Sequence, residues 1–135
     1  MQVIRKQMFE TNSSSCHSII ISDKDVLDDI MRPDPDGRII IYSGEFGWGP
    51  EAYYDAYTKA SYIYTDNLEN TNVLDMLERA IKEVTGATEV LFVDNGGYID
   101  HQSCGTSSNA VVSPETLKRF IFSRQSTLII DNDNH

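Results

Sequence analysis

The chain has 135 residues, 40% of them hydrophobic, with a net charge of −10 from 21 acidic and 11 basic side chains. That length and composition fit one folded domain with one core and exclude a disordered tail. The acidic excess argues against direct nucleic-acid binding and against an anionic membrane surface, and it permits a cation or a basic protein partner.

Cys16 and Cys104 lie far apart in sequence. Without a C-x-x-C pair or a dense cysteine framework, the reading is a reducing cytoplasm rather than a disulfide scaffold or zinc ribbon. The start, Met1-Gln2-Val3-Ile4-Arg5-Lys6, lacks the apolar run of a signal peptide. No segment approaches the roughly 18 apolar residues of a membrane span.

Val3 to Met8 reads as a short first strand, and Phe9 to Ser15 as a polar loop. Cys16 to Ile21, with Ile19-Ile20-Ile21, reads as a strand buried on both faces. Ser22 suits the cap of a helix from Asp23 to about Met31, with Val26, Leu27 and Ile30 as its apolar face. Pro33 to Gly37 is a turn, and Arg38 to Ser43 another buried strand.

Gly44 to Gly49 interleaves glycines with Phe46 and Trp48. Pro50 suits a first helical position, so a helix is expected from Glu51 to about Tyr64, with Tyr54, Tyr57 and Ile63 near the core. Asp66 to Asn72 reads as a linker. Val73 to Thr85 is the clearest helix, with Leu74, Leu77, Ile81 and Val84 on one face and Gly86 as its C-terminal cap. Glu89 to Asp94 is a strand, Asn95-Gly96-Gly97 a tight turn, and Tyr98-Ile99 the returning strand. After a polar loop from Asp100 to Asn109, Ser113-Pro114-Glu115 opens a helix to about Phe122. Thr127 to Ile130 is the last strand, and Asp131 to His135 a polar tail. The mixture implies a single α/β or α+β domain, 1–135, in which helices pack on a mixed sheet.

Four segments could carry chemistry. In the first, Asn12, Ser13, Ser14 and Ser15 offer donors for an anion, and Cys16 or His17 a nucleophile or base. The same residue types also suit a turn that caps its own backbone. In the second, Asp100 could orient His101, with Gln102 and Ser103 beside them, once a turn brings the two side chains to one side. The plainer reading is a polar loop with one hydrogen-bonded histidine. The third, Asp131 to His135, suits a divalent cation such as Mg²⁺ or Ca²⁺, or a frayed end, and does not match an EF-hand. The fourth, Glu45 to Gly49, offers Trp48 as a stacking face but is neither a P-loop nor a dinucleotide fingerprint.

The run Phe9-Glu10-Thr11-Asn12-Ser13-Ser14-Ser15-Cys16-His17-Ser18 resembles the N-termini of a group of small bacteriophage and bacterial proteins of uncharacterised activity. Those read Phe-Glu-Thr-Asn-Ser-Ser-Ser-Thr-His-Ser, so Cys16 departs from the usual Thr. Glu45 to Trp48, Tyr98 to Ser103 and Asn132 to Asn134 look like later signatures of the group. The resemblance implies a phage or prophage origin, a host-directed role and the cytoplasm of a bacterial cell.

Two functions follow as expectations. One is a pocket for a small anionic ligand such as a nucleotide. There His17 or His101 would be a general base, Asp100 its orienting partner, and Asn12 to Ser15, Trp48, Gln102 and Ser103 the binding residues, with hydrolysis as the reaction and a divalent cation as candidate cofactor. The other is a non-enzymatic acidic inhibitor, or mimic of nucleic acid, that binds a host protein. A third, an oxidation-sensitive pair of Cys16 and Cys104, requires the two to be close.

Overall fold

The computed structural model of the chain describes residues 14–47, 50–99 and 106–133, with backbone alone for 14–16, 106 and 131–133. The strands are β1 (Ser14–Ile20), β2 (Arg38–Tyr42), β3 (Glu45–Phe46), β4 (Glu51–Tyr53), β5 (Glu89–Val93), β6 (Tyr98–Ile99) and β7 (Thr127–Asp133). The helices are α1 (Ala56–Asp66), α2 (Thr71–Thr85) and α3 (Pro114–Phe122). A 3₁₀ turn at Thr106–Asn109 packs against β1. One antiparallel sheet has the order β1-β7-β4, while β2 pairs in parallel with β5, and β3 in parallel with β6. Together these make an α+β fold, as the mixture of strands and helices implies.

β1 alternates: His17 is buried and Ile19 half-buried, whereas Ser18 and Ile20 are exposed. The expected burial on both faces is therefore corrected. Among the described residues β1 lies at the edge of its sheet, with one face on the core, and period-two alternation turns Ile20 to solvent.

The helix expected from Asp23 is also absent; 21–37 is irregular apart from the turn at its end. Its polar groups bond elsewhere. Ser22 N–H donates to Ser126 Oγ (2.8 Å), Asp29 N–H to the Phe122 carbonyl (2.8 Å), and Asp28 Oδ1 accepts from Arg124 N–H (2.8 Å). Of the expected apolar stripe, Val26 and Ile30 are exposed and only Leu27 packs inward, too little burial to hold a helix. Met31 is buried in the core, and Ile21 and Leu27 pack against it half-buried. The turn before β2 is as expected. The Asp34 carbonyl accepts from Gly37 N–H (2.8 Å), and Asp34 Oδ1 from the N–H groups of Asp36 and Arg38 (2.9 Å each). Gly37 has φ +83°, and a Cβ there would fall 2.5 Å from Thr88 Oγ1.

α1 begins five residues later than expected. Glu51–Tyr53 instead forms β4, in register with Ile130, Ile129 and Leu128 of β7. Asp55 then caps α1, its carboxylate accepting from Thr58 N–H at 2.9 Å. The shift changes which tyrosines face inward. Ala56, Lys59, Ala60 and Ile63 form the buried stripe, with Tyr62 and Tyr64 also enclosed, while Tyr54 and Tyr57 are exposed.

α2 starts two residues earlier than expected, capped by Asn70, and ends at Gly86 in the left-handed conformation. α3 has the expected Ser113 cap, with Leu117, Phe120, Ile121 and Phe122 buried. The hairpin expected at Asn95 to Gly97 does not form. The chain jogs there and continues in the same direction, so that β6 lies parallel to β3 as β5 does to β2. β7 runs three residues beyond expectation. Ser14, Ser15 and Cys16 pair with Asp133, Asn132 and Asp131, so this part of the expected tail is strand.

Candidate functional site

Of the residues singled out by sequence, Asn12, Ser13, Trp48, Asp100, His101, Gln102 and Ser103 lie outside the described residues, as does Cys104. The register of β1 with β7 sets the backbone of Ser14 and Ser15 against that of Asp133 and Asn132. His17 follows on β1, is 4% exposed, and its Nδ1 shares a 3.0 Å hydrogen bond with the Tyr62 hydroxyl. Tyr62 stacks edge-on against Phe46, which does the same with Tyr53. The imidazole thus forms the inner end of an aromatic row. Among the described residues, no three His, Cys, Asp or Glu side chains converge as a metal-binding group.

The aromatic row leads to an open groove of about 370 Å³ beside β2. It is lined by Tyr42, Ser43, Gly44 and Glu45 at and after the end of β2, by Tyr57, Thr58 and Ser61 of α1, and by Phe46 and Tyr53. This is where the parallel strands β2 and β5 end, the usual place for ligands in such sheets. Three local causes build it. The Ser61 hydroxyl donates to the Tyr42 carbonyl (2.6 Å), fixing α1 to the end of β2. Gly44 N–H donates to Thr65 Oγ1 (3.0 Å). The Asp55 cap turns the chain so that Tyr57 stands at the rim.

A second hollow, about 330 Å³, shares Ser43, Gly44 and Glu45 and continues over Asn95, Gly96 and Gly97. Ser43 organises it. Its buried hydroxyl accepts from Asn95 N–H and Gly97 N–H (3.0 Å each) and has Asp94 Oδ1 at 3.0 Å and Asn95 Oδ1 at 2.8 Å. With one proton it can donate to only one of those oxygens.

The electrostatics of the groove are negative. Among the described residues it is lined by the Glu45 carboxylate and by no Lys or Arg. The Tyr53 hydroxyl titrates above its ordinary range, first because it is partly buried and then because the carboxylates of Glu51 and Asp55 disfavour a further negative charge. Pattern reading singled out Glu45 to Gly49 but missed Ser43, Tyr57 and Ser61. Tyr57 and Ser61 lie on α1 and Ser43 just after β2, and only the contact of α1 with β2 brings them together.

Lys59 is a second group that the pattern conceals. It is 0% exposed, donates from Nζ to the carbonyls of Ser123 (2.8 Å) and Ser126 (2.9 Å), and lies near the Phe120 ring. Burial lowers its pKa from 10.5 to about 8, opposed by the charges of Asp29 and Asp55. It ties the end of α3 to α1 and does not line the groove.

Among the described residues, no helix is long and apolar enough to cross a membrane. No protein-family model matches the chain, and neither does any curated protein or solved structure.

Proposed function

We propose that the protein is a non-enzymatic binding module that receives a basic partner protein at the groove beside β2. The supporting observation is the lining: aromatic rings, hydroxyls and Glu45, with no cation among the described residues, on a chain of net charge −10. An anion entering there meets a carboxylate and no counter-charge. A Lys or Arg side chain meets a carboxylate and tyrosine faces. Such complementarity speeds association and fades with salt. A phage origin would make the partner a host protein.

The second reading places a small anionic ligand, bound or hydrolysed, at the polar end of β1. What favours it is the register that sets Ser14 to Cys16 beside Asp131 to Asp133, with His17 next in line. Carboxylates in that position would call for a divalent cation between them and an anion. A thermal-shift panel separates the two readings. Oligoarginine should raise the melting temperature at low salt, less at high salt, and less in Tyr57→Ala or Glu45→Gln. A nucleotide shift that requires Mg²⁺ and is lost in His17→Ala would transfer the function to β1.

A further inference from the structure

The open edge of β2 forms one wall of the groove. Ser43 N–H donates to the Val93 carbonyl (3.0 Å), and the Gly37 carbonyl accepts from Thr88 N–H (2.8 Å), both on the β5 side. Odd-numbered residues of this stretch therefore aim their backbone groups at β5, and Arg38, Ile40 and Tyr42 aim theirs the opposite way. On that outer side most groups have local partners. Arg38 N–H donates to Asp34 Oδ1, its carbonyl accepts from Asp34 N–H, and the Tyr42 carbonyl accepts from Ser61. Ile40 N–H, the Ile40 carbonyl and Tyr42 N–H remain without a partner on the described residues, where β2 pairs with β5 alone.

Three backbone groups in that order are what one added strand uses: two N–H donors flanking a carbonyl acceptor. They lie at the groove, because Ile40 and Tyr42 both line it. Tyr42 and Tyr57 are 51% and 46% exposed, leaving their rings available to an incoming side chain. We infer that the partner enters as an extended basic segment that adds a strand to the outer edge of β2, placing a Lys or Arg side chain between Tyr57 and Glu45. This rests on the reading of the groove as a site for a basic partner. The charge of the lining selects the occupant: an acidic or phosphorylated segment would meet Glu45 with no counter-charge from the described lining. Backbone bonding supplies a register that is independent of most of the segment's sequence, and the groove reads one side chain.

The test uses the full chain and a fluorescein-labelled Lys-Val-Lys-Val-Lys-Val-Lys peptide, with a second copy of the peptide N-methylated at alternate amides. Binding is read by anisotropy, and amide exchange by NMR. The expected result is saturable binding of the first peptide, about tenfold weaker binding of the methylated one, and new protection of the Ile40 and Tyr42 amides. Tyr57→Ala, a change at an exposed position, should weaken binding without lowering the melting temperature. Equal binding of both peptides, with no protection at Ile40 and Tyr42, would overturn strand addition and leave the basic-partner reading standing. No binding of either peptide at low salt would remove that reading itself. Protection of the same amides that grows with protein concentration alone would make a second copy of the chain the occupant and overturn the proposal.

Discussion

Lys59 occupies the buried stripe of α1, at a position where spacing alone would place an apolar residue. Its ammonium is retained because two carbonyls near the end of α3 accept its protons. The pH dependence follows from its lowered pKa. Between about 8 and 10.5 the unfolded chain holds this proton more firmly than the folded one, so the contribution of Lys59 to stability rises with pH. That contribution is lost as pH falls through 8. Tyr53 and Tyr64, both raised above 10.0, act oppositely, their contribution being lost only as pH rises beyond 10. Below about pH 9.5 these tyrosines add no pH dependence, and comparing two proteins that differ only at residue 59 cancels every other group that titrates in the interval from about pH 7 to 9.5. The destabilisation caused by Lys59→Met should increase by about 2 kcal/mol across it, measured by urea unfolding of both proteins. A difference that stays constant with pH would show that the charge is not penalised by burial. Such a lysine is hard to read in sequence, because Lys59 looks like any helical surface residue until α3 is laid over it.

The elements whose ends are set by their own residues are legible. α2 carries Leu77 and Ile81 on one face and ends at Gly86, and α3 is opened by Ser113 and Pro114. Elements decided by a neighbour are not legible. Pro50 is a plausible first helical residue, but the free edge of β7 draws Glu51–Tyr53 into a strand, and Asp55 supplies a better cap. Asn95 to Gly97 has the composition of a hairpin turn, but Ser43 accepts two of its N–H groups and makes it a jog between parallel strands. The closeness of that contact gives a prediction. A Cβ on Gly97 would lie 2.5 Å from Ser43 Cβ and 2.6 Å from Gly44 N. Gly97→Ala should therefore lower stability by about 1–3 kcal/mol, read as a lower denaturation midpoint, and should reshape the groove at Ser43 and Gly44. An unchanged midpoint would mean that the two strand pairs are not locked at this point.

At the scale of the molecule, the two ends of the described chain meet. β1 and β7 pair along seven residues, from Ser14 with Asp133 to Ile20 with Thr127. Deleting residues 131–135 removes the partners of Ser14, Ser15 and Cys16. We expect the amides of those three residues to exchange faster and stability to fall by on the order of 2 kcal/mol. Unchanged exchange would show that the outer half of this ladder does not hold in solution. The sequence by itself determined the class of fold, the acidic surface, the positions of α2 and α3, and the concentration of polar residues near strand ends. These depend on composition, on periodicity over one helix, and on caps within a few residues. Only the tertiary structure decided that 21–37 stays largely irregular, that Glu51 begins a strand, that His17 faces Tyr62, and that Tyr42, Glu45, Tyr57 and Ser61 share one groove. Each of these is settled by a hydrogen bond or a packed face contributed by a residue far along the chain, and a local pattern carries no record of which distant partner will arrive.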